Sequence, residues 1–240
     1  MTKQTVLITG GTGVVGRALI SAMDMAGYRV VTTSRQGSSV DGAETISADL
    51  LEEGGVAALI DSLKKAGIAV DHLINNFRDS GNLKTDSGRP SQEQWQREYM
   101  SSVIVPFDLA MRLTDLGGLK SVINITSIYG ITAGNLSLYN GNQAAAPIHY
   151  NVSKAAEAHL TREMAVRLVD KNIRVNAIAY GGIKGRADAD FEKRYAALCP
   201  QQGMLESSDL PGAALFLLSD QAAGRVTGQV LQVDGGWTIW

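Results

Sequence analysis

"TVLITGGTGVVG", Thr5–Gly16, decides the reading of the chain. The run "TVLIT" is short and apolar, as a strand buried on both faces should be. Glycines follow at Gly10, Gly11, Gly13 and Gly16, and "VVGRALISAMDMAG" then carries apolar residues at helical spacing up to Gly27. Glycines let a backbone turn tightly and approach a ligand closely. The helix start behind them offers unpaired N–H groups to a pyrophosphate. Strand, glycine turn and helix in that order predict a dinucleotide-binding βα unit.

Outward from that unit the same alternation continues. "YRVVTTS", "ETISADL", "DHLIN", "KSVINIT", "IRVNAIA" and "QVLQVD" read as strands. Between them, "GGVAALIDSLKKAG", "SQEQWQREYMSSVIVPFDLAMRL", "YNVSKAAEAHLTREMAVRLV" and "SSDLPGAALFLLS" read as helices, the second capped by Ser91 with Glu93 and Gln94 in its first turn. Strand and helix alternating from end to end predict an α/β fold: one doubly wound parallel sheet of Rossmann type, covered by helices on both faces. No shift of composition marks a second domain, so residues 1–240 read as a single domain, with substrate loops at 130–149 and 182–205. The irregular segments Arg78–Pro90 and Gly130–His149 are the longest, and long loops in compact domains are often functional.

Composition narrows the function. The chain is 45% apolar and 19% charged with a formal net charge of −2, which suits a soluble globular protein and offers no basic stripe for nucleic acid. Apolar runs are too short for a membrane helix. The N-terminus enters a strand almost at once, so no signal peptide and a cytoplasmic location are expected. Cys199 is the single cysteine and there are three widely spaced histidines, so no disulfide framework and no metal site are expected.

The end of the second strand bears on which dinucleotide is bound. A ribose with free hydroxyls calls for an acidic partner there, and this chain has Ser34 and Arg35. Arg35 can meet a 2′-phosphate by charge and paired hydrogen bonds, which favours NADP(H) over NAD(H). Asp49, after the third strand, can accept from the adenine amino group. "HYNVSKAAEAHL", His149–Leu160, places Tyr150 and Lys154 one helical turn apart on a shared face. A phenol titrates near ~10, too high for a base at neutral pH unless a nearby cation favours its ionised form.

These features together resemble the short-chain dehydrogenase/reductases over nearly the whole chain. The glycine turn, Asp49, "INN" (Ile74–Asn76), "INITS" (Ile123–Ser127), Tyr150 with Lys154, "IRVNAIA" and "VTGQVLQVDGG" come in the family's order. The loop "SIYGITAGNLSLYNG" and the ending "VDGGWTIW" are similar to a narrower branch associated with bacterial surface-sugar and nonulosonic acid biosynthesis. The resemblance implies an oxidoreductase interconverting a secondary alcohol and a ketone. It implies Tyr150 as acid or base, Lys154 on the nicotinamide ribose, and Ser127 holding the reacting oxygen. It places the cofactor on Gly10, Thr12, Gly13, Val14 and Val15, then on Ser34, Arg35, Asp49 and Leu50. Asn75, Asn76 and Phe77 follow, with Gly181 and Ile183 at the nicotinamide end. Relatives pair through the helices near Trp95–Leu113 and Tyr150–Val169, which implies a homotetramer or homodimer. The tail "GGWTIW" is expected to expose two tryptophans unless a partner covers them.

Several positions depart from the family pattern. Val14 stands where a glycine is usual, and "NNFR" puts Phe77 and Arg78 where small residues line the cofactor. Ser102 stands at the position of the helix asparagine that completes a proton relay. Tyr180 replaces a proline, and Gly185 lies near the usual threonine. The segment from Ser127 to Tyr150 is longer than usual. Tyr139 lies at the usual spacing but has Gln143 four residues later, so Tyr150 is the expected acid. The extra loop is expected over the active site, with Tyr139, Asn140, Asn142 and Gln143 either as partners for sugar hydroxyls or as part of a surface lid or subunit contact without a ligand role. His149 is expected to point away from the site, and Cys199 to be a semi-buried apolar residue. "RADADFEKRYAALC" reads as a short helix over an open cleft. Ser102, Phe77 and Tyr180 keep open a second reading, a catalytically weak dinucleotide-binding sensor or scaffold. The glycine spacing also suggests a sugar-nucleotide epimerase or dehydratase, disfavoured because those enzymes carry a further C-terminal domain.

Overall fold

A computed structural model describes residues 3–85, 88–185 and 187–240. Asp86 and Ser87, in the long segment after the fourth strand, and Arg186, at the head of the segment expected over the cleft, lie outside the described residues. Seven strands run parallel: β1 (Thr5–Ile8), β2 (Arg29–Ser34), β3 (Glu44–Ser47), β4 (His72–Asn75), β5 (Ser121–Ser127), β6 (Arg174–Tyr180) and β7 (Val230–Val233). Their order is β3-β2-β1-β4-β5-β6-β7. The order reverses between β1 and β4, and the crevice at the carboxyl ends of such strands is where open α/β sheets take ligands.

The helices are α1 (Val14–Met25), α2 (Gly55–Lys65), α3 (Gln92–Tyr99), α4 (Val105–Leu116), α5 (Ile148–Leu168), α6 (Ala189–Leu198), α7 (Pro211–Leu218) and the short α8 (Asp220–Ala223). Side-chain alternation divides the core. Leu7 and Leu73 face one side with Leu59 and Leu63 of α2, Leu109 of α4 and Met164 of α5. Val6, Ile8 and Ile74 face the other with Leu19 and Ile20 of α1 and Leu217 of α7. Period two in the strands therefore meets period 3.6 in the helices on both faces.

The helix expected from Ser91 onward is divided into α3 and α4. Ser91 caps it as expected: its hydroxyl accepts from the Gln94 N–H, and the Gln94 side chain accepts from the Ser91 N–H. Met100–Ile104 then form a π-turn, and Pro106 stands in the first turn of α4. Proline has no N–H to give the carbonyl four residues back, which is that of Ser102, and the wider turn absorbs the mismatch.

Candidate active site

The glycine turn grows directly out of β1. Gly10 has φ +70°, and a Cβ there would lie 2.9 Å from the Phe77 Cα. A Cβ on Gly16 would lie 2.5 Å from the Gly10 carbonyl oxygen, so α1 closes on the turn only because Gly16 has no side chain. Gly13 is the N-cap of α1 and offers no side chain to its first N–H groups. Asn76, from the end of β4, fastens the loop: its Nδ2 donates to the Thr9 and Gly10 carbonyls at 2.9 and 3.0 Å. The Asn76 and Phe77 N–H groups both donate to Thr9 Oγ1 at 3.0 Å. Phe77 is half-buried and packs against the core that Leu59 and Leu109 share, and both it and Arg78 line the cleft, where small residues are usual.

A cleft of about 820 Å³ starts at this turn and runs along the strand ends. Gly10, Thr12, Gly13, Val14, Val15, Ser34, Arg35, Leu50, Asn76 and Phe77 line its first half. Asp49 does not line it; its Oδ1 accepts from the Leu51 N–H at 3.0 Å and holds the turn that presents Ala48 and Leu50. Asn75 is buried below the surface, where its Nδ2 donates to Asn124 Oδ1 at 2.9 Å. Arg35 is exposed and makes no ion pair among the described residues. Asp79, close enough for the Arg35 charge to help keep its carboxyl low, is itself held by Arg97 Nε at 2.5 Å.

The second half of the cleft gathers Ser127, Tyr150 and Lys154. Ser127 ends β5, with its Oγ accepting from the Tyr129 N–H at 3.2 Å. Tyr150 and Lys154 come from the first turns of α5, and the Lys154 Nζ is 6.0 Å from the Tyr150 ring centroid. The ammonium is anchored from behind: it donates to the Ile125 carbonyl at 2.9 Å and to Glu157 Oε2 at 2.7 Å. Arg78 also lies over the phenol ring, its guanidinium carbon 5.2 Å from the centroid. Ser102 is buried off the cleft and receives a 3.4 Å hydrogen bond from the Ser153 hydroxyl. Gly181 and Ile183, after β6, also line the cleft; Leu205 pairs with Ile183, leaving the Ile183 N–H without an acceptor among the described residues.

Beyond the triad the wall is aromatic. The segment 130–149 folds over the cleft through short 3₁₀ turns, brings Tyr139 to the wall and buries Leu138. The Tyr139 and Tyr129 hydroxyls lie 3.1 Å apart, and burial pushes both phenols above their ordinary range. Tyr139 packs on Phe191, and Tyr195 stacks on Trp237 at 5.7 Å. The Gly182 N–H donates to the Tyr195 hydroxyl at 2.9 Å, and burial pushes that phenol up to about 12. Asn140, Asn142 and Gln143 do not line the cleft. Asn140 ends a 3₁₀ turn at φ 53°, and the Asn142 side chain accepts from the Ala144 N–H.

Other expectations resolve one by one. His149 points away from the cleft and donates through Nε2 to the Asn82 carbonyl at 2.9 Å. Cys199 is fully buried rather than semi-buried, under the Asp234 and Gly235 carbonyls. Tyr180 is among the residues that line the cleft, and its buried hydroxyl donates to the Leu210 carbonyl, which braces the start of α7. The tail does not expose two tryptophans: Trp237 is buried against Tyr195, and only Trp240 is exposed. A stacking partner within the chain removed the need for one outside it.

Sequence reasoning missed three features: Arg78 over Tyr150, the aromatic wall of Phe191 and Tyr195 backed by Trp237, and Glu157. Glu157 had a visible signal. It falls on the inward stripe of α5 with Lys154, Thr161, Met164 and Leu168, where a carboxylate is out of place without a partner. The wall had no such signal, because it joins α6 to the tail, which no local pattern links.

A sequence profile described as Enoyl-(Acyl carrier protein) reductase matches residues 13–238. The chain is 39% identical over 119 residues to the post-translational flagellin modification protein A of Campylobacter coli, spanning 50% of this chain and 46% of that one. The short-chain dehydrogenase of Leptospira borgpetersenii, solved with NAD+ bound, superposes with a TM-score of 0.89 at 30% identity, covering 99% of this chain and 94% of that one. A Beutenbergia cavernae protein described as an NAD(P)-dependent gluconate 5-dehydrogenase, with NADP bound, gives 0.84 at 27% identity over 100% and 98%. The chain belongs to the short-chain dehydrogenase/reductase family of oxidoreductases, which act on CH–OH groups with a nicotinamide dinucleotide. No described helix is long and apolar enough to cross a membrane.

Proposed function

We propose that this protein is an NADP(H)-preferring oxidoreductase that interconverts a secondary alcohol and a ketone on a sugar-derived substrate, in the cytoplasm. The observation that carries the reading is the convergence of Ser127, Tyr150 and Lys154 on one cleft that begins at the glycine turn. The cradle fits a dinucleotide: a Cβ on Gly10 would fill it, and the uncapped start of α1 faces it. Gly10, Thr12, Gly13, Val14 and Val15 would hold the pyrophosphate, and Ser34 with Arg35 the 2′-phosphate. Asn76 and Phe77 would back the ribose, and Gly181 and Ile183 the carboxamide. When bound, the cofactor supplies hydride transfer.

The remaining work belongs to the chain. Ser127 Oγ donates to the substrate oxygen and fixes its position. Tyr150 takes the alcohol proton in oxidation and returns it in reduction. Lys154 brings positive charge to the phenol and reaches the ribose. Ser102, off the cleft behind Ser153, leaves the outer relay without its usual group. Tyr139 and Tyr129 offer hydroxyls, and Phe191 an apolar face, which together suit a polyhydroxylated ring. The flagellin-modification relative supports a surface-sugar substrate.

A thermal-shift panel of NAD, NADP and sugar derivatives, followed by an oxidation screen at the nicotinamide absorbance, tests the reading. NADP should stabilise more than NAD, and a sugar-derived alcohol should turn over. Cofactor binding without turnover of any secondary alcohol would favour the sensor or scaffold reading. The assembly is a homodimer or homotetramer, because Tyr99, Met100, Ile104 and Phe107 form an exposed apolar face beside Val152 and Val166 of α5. Light scattering that gave a monomer at micromolar concentration would remove that part.

A further inference from the structure

Lys154 differs from a lysine free to serve only the cofactor and the phenol. Its side chain is 6% exposed and its ion-pair partner Glu157 is 2% exposed. Two of the three ammonium protons are committed, one to Glu157 Oε2 at 2.7 Å and one to the Ile125 carbonyl at 2.9 Å. A carboxylate in direct contact, shielded from water, cancels much of an ammonium's field at a distance. Glu157 lies about two turns of α5 beyond Tyr150, so it opposes Lys154 at the phenol without fully cancelling it. We propose that Glu157 is a positioning residue: its buried carboxylate fixes the Lys154 ammonium and sets how much of its charge reaches Tyr150. This rests on Tyr150 being the acid or base.

The surroundings are consistent with a tuned pair. Glu98 on α3 is fully buried near Glu157, with Oε2 accepting from Asn82 Nδ2 at 3.2 Å and Oε1 without a partner among the described residues. His149 joins the same cluster through the Asn82 carbonyl. Burial foremost, with Glu98 adding, raises the Glu157 carboxyl to about 7 against the pull of Lys154. Around the phenol itself stand Arg78 after β4 and Tyr129 and Tyr139 from the loop after β5. Asp188 and Tyr195 line the cleft farther out. Lys154 is therefore the cation whose effect on Tyr150 is divided with a carboxylate, whereas Arg78 has no ion pair among the described residues.

The test is the pH profile of kcat/KM for alcohol oxidation in Glu157→Gln and Glu157→Asp. Gln keeps an acceptor for Nζ and removes the charge, so the acid limb should move down by about one unit, tenfold in the acid constant. Asp keeps the charge one methylene farther away, so its limb should fall between the two. NADP affinity should stay within about threefold of the native protein in both, since both side chains keep an acceptor for Nζ and leave Lys154 within reach of the ribose. The phenolate absorbance of each protein, less that of its Tyr150→Phe counterpart, is titrated in parallel with NADP bound. It should show the same order without needing a substrate, so failure of the assigned reaction and failure of this proposal are told apart. If Gln prevents folding, the shift in Asp alone decides. A lower turnover with limb and phenolate midpoint unmoved means that Glu157 only supports the fold, and the proposal is overturned, as it is by an upward shift.

Discussion

At the N-terminal end of the cleft the wall is backbone; at the far end it is side chain. Around Gly10 and Gly16 the close contacts are to main-chain atoms of Phe77 and Gly10, and the loop is fastened by amide and threonine bonds into Thr9. Around Tyr139 and Tyr195 the contacts are ring on ring, drawn from the loop after β5, from α6 and from the tail. A diphosphate is the same on every dinucleotide, so a main-chain cradle can be specified once and kept local in sequence. A substrate wall must be shaped for one molecule, and side chains from distant segments allow that without disturbing the sheet. Ser127, Tyr150 and Lys154 stand where the two constructions meet.

Removing chemistry at that meeting point should give the largest effect. Tyr150→Phe keeps nearly the same volume and takes away only the hydroxyl, so the melting temperature and NADP affinity should hardly change. Turnover should fall by ~10²–10⁴, the usual range for a positioned acid or base. Lys154→Ala should lower both rate and cofactor affinity, and stability as well, because it strands Glu157 in the interior. A Tyr150→Phe protein that keeps native turnover would sever the triad from the reaction.

The backbone end should be intolerant in a different way. Gly10→Ala places a side chain at φ +70° and 2.9 Å from the Phe77 main chain. Left-handed backbone costs an alanine ~1–2 kcal/mol, and the clash adds to it. Calorimetry should show NADP binding weakened tenfold or more, with the melting temperature also reduced. If binding survives, the cradle is less rigid than the comparison requires. Arg35→Asp is a milder probe of the same end. It replaces the proposed partner of a 2′-phosphate with a repelling charge, so NADP should lose about tenfold and NAD much less. Equal losses for both would mean that Arg35 does not read the phosphate.

The same division explains what could be read from sequence. The sheet, its helices and the glycine turn follow from local periodicity and spacing, so β1, α1 and the Ser91 cap fall where expected. Tyr150 with Lys154 was legible because a helix brings residues four apart together by itself. Asn76 was legible as a site residue but not as the clasp of the turn, because its bonds reach back to Thr9 and Gly10. Trp237 was misjudged because its partner, Tyr195, lies on α6, where no local pattern links the two. The split of α3 from α4 was announced by Pro106, whose missing N–H makes a continuous ladder impossible.

The smallest effect is expected at the side-chain end, and it decides what the long loop is for. Tyr139 lies at the usual distance from Ser127 for the family's acid, but no lysine follows it, and its hydroxyl is occupied by Tyr129 at 3.1 Å. Burial pushes both phenols above their ordinary range. Tyr139→Phe removes one hydrogen bond between partly buried groups, which should cost about 1 kcal/mol of stability. The ring contact with Phe191 remains. If the loop is a substrate wall, KM for the sugar-derived alcohol should rise a few-fold with kcat nearly unchanged, because the lost contact serves ground state and transition state alike. If the loop is only a cover, neither constant should move. A collapse of kcat comparable to that of Tyr150→Phe would reverse the assignment: the acid would belong to the loop, and the aromatic end would be the chemical centre.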